Sequence, residues 1–151
     1  CIDLDVLSET FILYNKIILV PWHPHVNCRP TTLTLLEHCN TNSFLKQALL
    51  LKKLATYDLS TWKYSGHRHG VLKNYYRPLI HVKFFSGEAA FQIAARLGVK
   101  EIYSIGIDGG KEYSKKFREF LPLTNKQKTF DIQFTEINKT VEKNNMKWIK
   151  L

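Results

Sequence analysis

The sequence predicts an α/β fold, a Rossmann-like three-layer arrangement around a mostly parallel sheet. Three observations carry that expectation. Strand-like and helix-like segments alternate along the chain. Lys16–Pro21 (KIILVP) is a continuous, β-branched apolar run closed by proline, the pattern of a parallel strand covered on both faces. Residues 82–108, VKFFSGEAAFQIAARLGVKEIYSIGID, read as strand, turn, helix, turn and strand. A β-α-β unit of this kind is right-handed in nearly all folds and presents its ligand at the carboxyl ends of its strands.

The chain of 151 residues is expected to form one domain, long enough to bury a hydrophobic core. It opens on Cys1-Ile2-Asp3-Leu4-Asp5 without an initiator Met, as an excised domain or a fragment of a longer chain does. Ile2–Leu7 alternates weakly and reads as an opening strand. Trp22-His23-Pro24-His25 follows the strand at 16–21. Residues 26–42, rich in Asn, Thr, Pro and Cys, read as a long loop with one helical turn near Leu33–His38. Asn42-Ser43 caps a helix from Phe44 to about Leu54. The pattern lapses from Ala55 to Arg77, and so long an irregular segment reads as a binding loop or lid.

Val82–Phe85 then forms a short strand. Ser86 is placed to cap the next helix, whose apolar residues Ala89, Ala90, Ile93, Ala94 and Leu97 recur at helical spacing before Gly98 stops it. Glu101–Ile107 is a strand ending at Asp108-Gly109-Gly110. A short helix over 111–120 and a loop over 121–128 precede a second amphipathic helix. Thr129 caps that helix, and Phe130, Phe134, Ile137 and Val141 line one face. Met146–Leu151 reads as the last strand.

The net charge of +9 suits nucleic acid, anionic lipid or a phosphorylated small molecule. No RNA-recognition, KH or zinc-finger signature appears, so nucleic acid is not the expected partner. Most lysines alternate with glutamates, as on a solvated helical face. No apolar run approaches the ~20 residues of a membrane span, so no transmembrane segment is expected. Cys1, Cys28 and Cys39 are odd in number and lack CxxC spacing, which favours a reduced, cytoplasmic setting.

The turn residues supply the candidate site. Backbone N–H groups at Ser86-Gly87 and the positive end of the helix can hold a phosphate, with a plain N-cap as the alternative. A single glycine in that turn is not the GxGxxG fingerprint, so NAD has little support. Asp108, followed by Gly109, can face a ligand or simply form a turn. Tyr113 can donate to a phosphate oxygen. His23 with His25, and His67 with His69, form two HxH pairs that can supply a general base or a cation. No carboxylate pattern accompanies them, and no metal site is assigned. Arg68, Lys73 and Arg77 are candidate phosphate clamps.

SGEAAFQIAARLGVKEIYSIGID resembles a superfamily with Ser-Gly, a small-residue helix, Leu-Gly and a strand ending Gly-x-Asp. One branch holds the bacterial CMP-sialic-acid sialyltransferases. The other holds the archaeal 6-hydroxymethylpterin pyrophosphokinases and the flagellin motility-accessory proteins, which Thr129–Phe134 (TFDIQF) also resembles. The resemblance covers about a third of the chain. It implies a transferase that binds a CMP-sugar or other nucleotide-sugar without a required cofactor. Ser86, Gly87 and Asp108 would meet the nucleotide, and Tyr113 would stabilise the leaving phosphate. The pyrophosphokinase branch implies instead diphosphate transfer from ATP with Mg²⁺ held partly by Asp108. A third expectation is a nucleotide-binding module without catalysis. No His follows His81, so the late catalytic His of sialyltransferases has no counterpart, and His23, His25, His67 or His69 would have to replace it.

Overall fold

The structure, a computed structural model, describes Leu4, Leu7 and residues 17–26, 29–59, 78–107, 109–111 and 129–151. The chain divides into two compact units, Cys1–Leu79 and Ile80–Leu151. Strand β1 (Ile18–Pro21) lies parallel to β4 (Leu54–Leu59), with Ile18 opposite Leu54 and Pro21 opposite Tyr57. The sheet order is β1-β4-β5, where β5 is Leu79–Ile80, the two residues between which the division falls. Two two-residue strands, β2 (His25–Val26) and β3 (Arg29–Pro30), pair antiparallel.

Two helices connect the first strands. Helix α1 spans Leu35–Thr41 and α2 spans Ser43–Leu50. The expected single turn near 33–38 is thus a complete helix. Its signal is Thr34-x-x-Glu37: Thr34 Oγ1 accepts from Glu37 N at 3.2 Å, and Glu37 Oε2 accepts from Thr34 N at 2.7 Å. Asn42 caps α2, its side chain accepting from Leu45 N at 3.1 Å. Leu4, Leu7, Val20, Leu35, Cys39 and Leu45 form the core of this unit, with Trp22, Phe44 and Leu54 packed against it. Leu4 and Leu7 stand in helical backbone, which corrects the opening strand; both are buried, as residues three apart on one helical face can be.

In the second unit, α3 (Ser86–Arg96) leads into β6 (Glu101–Ser104), and α4 (Ile132–Lys143) into β7 (Lys147–Lys150). The strands β6 and β7 are parallel, with Ile102 opposite Trp148. The helices pack on the sheet through Phe91, whose ring meets Trp148 edge-on at 4.9 Å, and Phe134, 5.8 Å from the same indole. Trp148 Nε1 donates to Ser104 Oγ at 2.8 Å, satisfying the indole N–H.

Three helices end in the same way. After α2, Lys53 N bonds Ala48 O and Lys52 N bonds Leu49 O; Val99 and Gly98 repeat this on Ala94 and Ala95, and Met146 and Asn145 on Val141 and Glu142. Each is a Schellman closure with one left-handed residue, at Lys52 (φ 54), Gly98 (φ 77) and Asn145 (φ 49). Glycine and asparagine suit that conformation, whereas lysine carries a penalty of about 1–2 kcal/mol. The turn at Lys52 shortens the helix expected to reach Leu54 and releases Leu54–Leu59 as β4, a strand the apolar run LLLKKL conceals.

The described residues are therefore mixed helix and strand with small parallel sheets. No described helix is long and apolar enough to cross a membrane.

Candidate functional site

The first turn of α3 is shaped by one buried carboxylate. Phe85 is the N-cap residue, in extended backbone, and Ser86 is the first helical residue, which corrects the expected Ser86 cap. A phenyl ring has no acceptor, so another group must meet the backbone donors of the turn. Glu88, 1% exposed, does so from the third helical position. Its Oε2 accepts from Lys83 N at 2.7 Å, and its Oε1 accepts from Phe84 N and Phe85 N, both at 2.9 Å. Three consecutive N–H groups aimed at one carboxylate cannot also join a strand ladder. Val82–Phe85 is accordingly not the strand expected, and the strand pairing falls earlier, at Leu79–Ile80.

Gly87 sits where α3 meets α4. A Cβ there would lie 2.5 Å from Gln133 Oε1 and 3.7 Å from Ile137 Cδ1, so the missing side chain lets the two helices approach. Gln133 is the second residue of α4 as Gly87 is of α3, so their contact brings the two helix N-termini together. Phe85 and Phe130 close this end with ring centroids 4.8 Å apart.

The turn after β6 reaches the same place. Gly109 and Gly110 have φ of +83° and +84°. A Cβ on Gly109 would overlap Asp131 Oδ1 and press to 2.9 Å from the Phe134 ring. Asp131 Oδ1 accepts from Gly110 N at 3.1 Å, and Phe130 N donates to Gly110 O at 2.7 Å. Thr129 Oγ1 lies 2.6 Å from Asp131 Oδ2 and 2.8 Å from Gly110 O, and accepts from Asp131 N. Asp131 is the N-cap residue of α4, correcting Thr129, whose hydroxyl instead braces the turn.

The Thr129 hydroxyl, then the Gly110 amide, and more weakly Lys150 and Lys111, hold the Asp131 carboxyl below its ordinary value of 3.8. A depressed carboxyl stabilises the fold above its unfolded pKa and loses that contribution as pH falls through the folded one. Asp131→Asn is therefore expected to lower the melting temperature at neutral pH, the gap from wild type narrowing as pH falls to the ordinary carboxyl value of 3.8 and below it. A gap that stays constant with pH would show that the carboxylate charge plays no part.

Ser86 is exposed, and Gly87 and Gly109 are half-buried, at this one end of the second unit. Lys150 lies over the Phe134 ring at 3.8 Å and over Trp148 at 4.5 Å, with its charge within electrostatic reach of Asp131. Two helix N-termini, two left-handed glycines and the cations Lys111 and Lys150 thus surround a carboxylate that was not expected from the sequence. Its signal is the Thr-x-Asp directly before an amphipathic helix.

His23 and His25 belong to the first unit. His23 is nearly buried in the turn after β1, and His25 is in β2, where burial lowers its pKa below 6.5. A neutral imidazole at physiological pH is the form a general base requires. No group of three metal-ligating side chains gathers among the described residues. Burial raises the pKa of the Cys39 thiol, as suits a core residue more than a nucleophile. His67, Arg68, His69, Lys73, Arg77, Asp108, Tyr113 and Cys28 lie outside the described residues.

A groove of about 380 Å³ runs between α3 and α4 towards their C-terminal ends, lined by His81, Gln92, Arg96, Glu136, Lys139 and Lys143. Glu136 pairs with Lys139 at 2.9 Å and with Lys83 at 3.8 Å. Cations at this end suit the negative poles of the helices.

Comparison with family models, with curated proteins and with solved structures finds no match to this chain.

Proposed function

We propose that the chain is a glycosyltransferase-like transferase domain whose second unit holds the phosphate of a nucleotide-activated sugar, a CMP-sugar by the resemblance of residues 86–108. One observation carries the reading: the N-termini of α3 and α4 meet, and the Gly109-Gly110 turn closes on the start of α4 with Lys111 and Lys150 in electrostatic reach. Helix N-termini and nearby cations favour a bound or developing anion. A nucleotide is a good leaving group where its departing phosphate is so stabilised. A general base would take the proton of the acceptor hydroxyl as that oxygen bonds the anomeric carbon. The bond from that carbon to the phosphate oxygen breaks, and the nucleotide leaves with the electron pair. Ser86, Gly87 and Gly109 would supply backbone contacts, with Asp108 and Tyr113 completing the site as the resemblance implies. The proposal places this domain in a Rossmann-like three-layer fold and a cytoplasmic setting, with a small phosphorylated substrate and no nucleic acid partner.

A second reading has an observation in its favour. The exposed Asp131 carboxylate beside the phosphate-suited turn fits Mg²⁺-dependent diphosphate transfer from ATP, with Asp108 as a second oxygen ligand.

A thermal-shift series with CMP, CDP, UDP, GDP and ATP, each with Mg²⁺ or EDTA, separates the readings. CMP is expected to raise the melting temperature in EDTA, and Lys111→Glu to abolish that rise. A rise confined to ATP with Mg²⁺ would transfer support to the pyrophosphokinase reading. No rise with any nucleotide, or one indifferent to Lys111→Glu, would refute this site.

A further inference from the structure

We propose that the end of the first unit formed by Ile17, Leu50 and Leu51 docks on an anionic lipid surface. These side chains are 65%, 74% and 56% exposed, a high exposure for three large apolar groups so close together. Leu50 and Leu51 close helix α2, and the Ile18 N–H donates to Lys53 O at 2.8 Å, which places Ile17 beside the turn that follows them.

Charge identifies the occupant. Lys46 is exposed one helical turn before Leu50, and exposed Lys52 directly follows Leu51, so the apolar tip has cations on both sides. A lysine can lay its methylenes along an apolar surface while its ammonium reaches a headgroup. Apolar side chains flanked by lysines suit the boundary between acyl chains and anionic headgroups, and match the chain's net charge of +9.

The backbone adds an independent observation. Of the three Schellman turns, only that of α2 carries a residue ill suited to left-handed backbone, Lys52 at φ 54. Glycine there would relieve the strain. A lysine at a position that favours glycine is accounted for if its charge is used at this surface.

Co-sedimentation of the whole chain with vesicles tests the proposal. Vesicles of phosphatidylcholine with roughly one-third phosphatidylglycerol are expected to bind the protein, weakening as salt rises, whereas phosphatidylcholine alone does not. Leu50→Ser with Leu51→Ser should lose at least about ten-fold in affinity. Lys52→Gly should lose about five-fold, the equivalent of one surface cation, while melting at or above the wild-type temperature. That pairing separates a docking role from a folding role, because a structural lysine would not bind less and melt higher. Absence of binding to anionic vesicles would overturn the proposal, as would wild-type affinity in these variants. It would also fall if sedimentation velocity showed a concentration-dependent dimer that the serine variant abolishes, since the tip would then be a contact between copies of this chain.

Discussion

Glu88→Ala is expected to destabilise the second unit by about 3–5 kcal/mol, a large effect for a single substitution. The carboxylate is 1% exposed and accepts from the amides of residues 83, 84 and 85. Alanine removes all three acceptor contacts and leaves a void, while the donors keep their positions in a half-buried turn. Glu88→Gln is expected to cost less, about 1–3 kcal/mol. The amide oxygen can still serve Phe84 and Phe85, but its NH₂ then faces the Lys83 N–H, donor against donor. Urea unfolding followed by far-ultraviolet circular dichroism measures both. An Ala variant within about 1 kcal/mol of wild type would mean that water replaces the carboxylate at little cost. The order Ala worse than Gln worse than wild type is the signature of a hydrogen-bonded brace.

Gly109→Ala is expected to cost about 2–4 kcal/mol, combining left-handed strain with displacement of Asp131 and crowding of the Phe134 ring. Gly110→Ala is the control. Gly110 has nearly the same φ, but a Cβ there meets nothing within 4 Å, so it should cost only the conformational share, about 1–2 kcal/mol. The difference between the variants reports how tightly the Asp131 staple fills the turn. Equal losses at the two positions would show that the staple contributes little. Nucleotide binding should fall in Gly109→Ala by more than stability predicts if that turn also meets the ligand, since moving Asp131 disturbs the Gly110 amide.

Both predictions concern residues whose importance is only partly visible in the sequence. Gly109 is singled out there because a glycine pair follows a strand-like run, and the structure gives both glycines positive φ. Glu88 is harder to find. The Ser/Thr-x-x-Glu signature is absent, because the residue three before it is Phe85, and an acid in a first helical turn is ordinarily solvated. Its burial follows from a backbone that curls away from a ladder, which local propensity for Val-Lys-Phe-Phe does not anticipate. Gly87 shows the same limit differently. Its lack of a side chain suggests room for a phosphate, yet the space next to its Cα is taken by Gln133, 46 positions later in the chain.

Local rules by themselves determined the alternation of helices and strands, the β1 strand, the amphipathic α4, the Asn42 cap and the glycine stop of α3. Each rests on interactions within a few residues: side-chain periodicity, capping and permitted φ. Tertiary structure alone decided that Leu54–Leu59 is a strand, since β4 exists through its pairing with β1. It likewise decided that 83–85 bonds Glu88, and that Ser86, Gly87 and Gly109 share one end of the second unit with Asp131. Those outcomes depend on partners distant in sequence, or on which of two competing acceptors a backbone N–H meets, and packing selects between them.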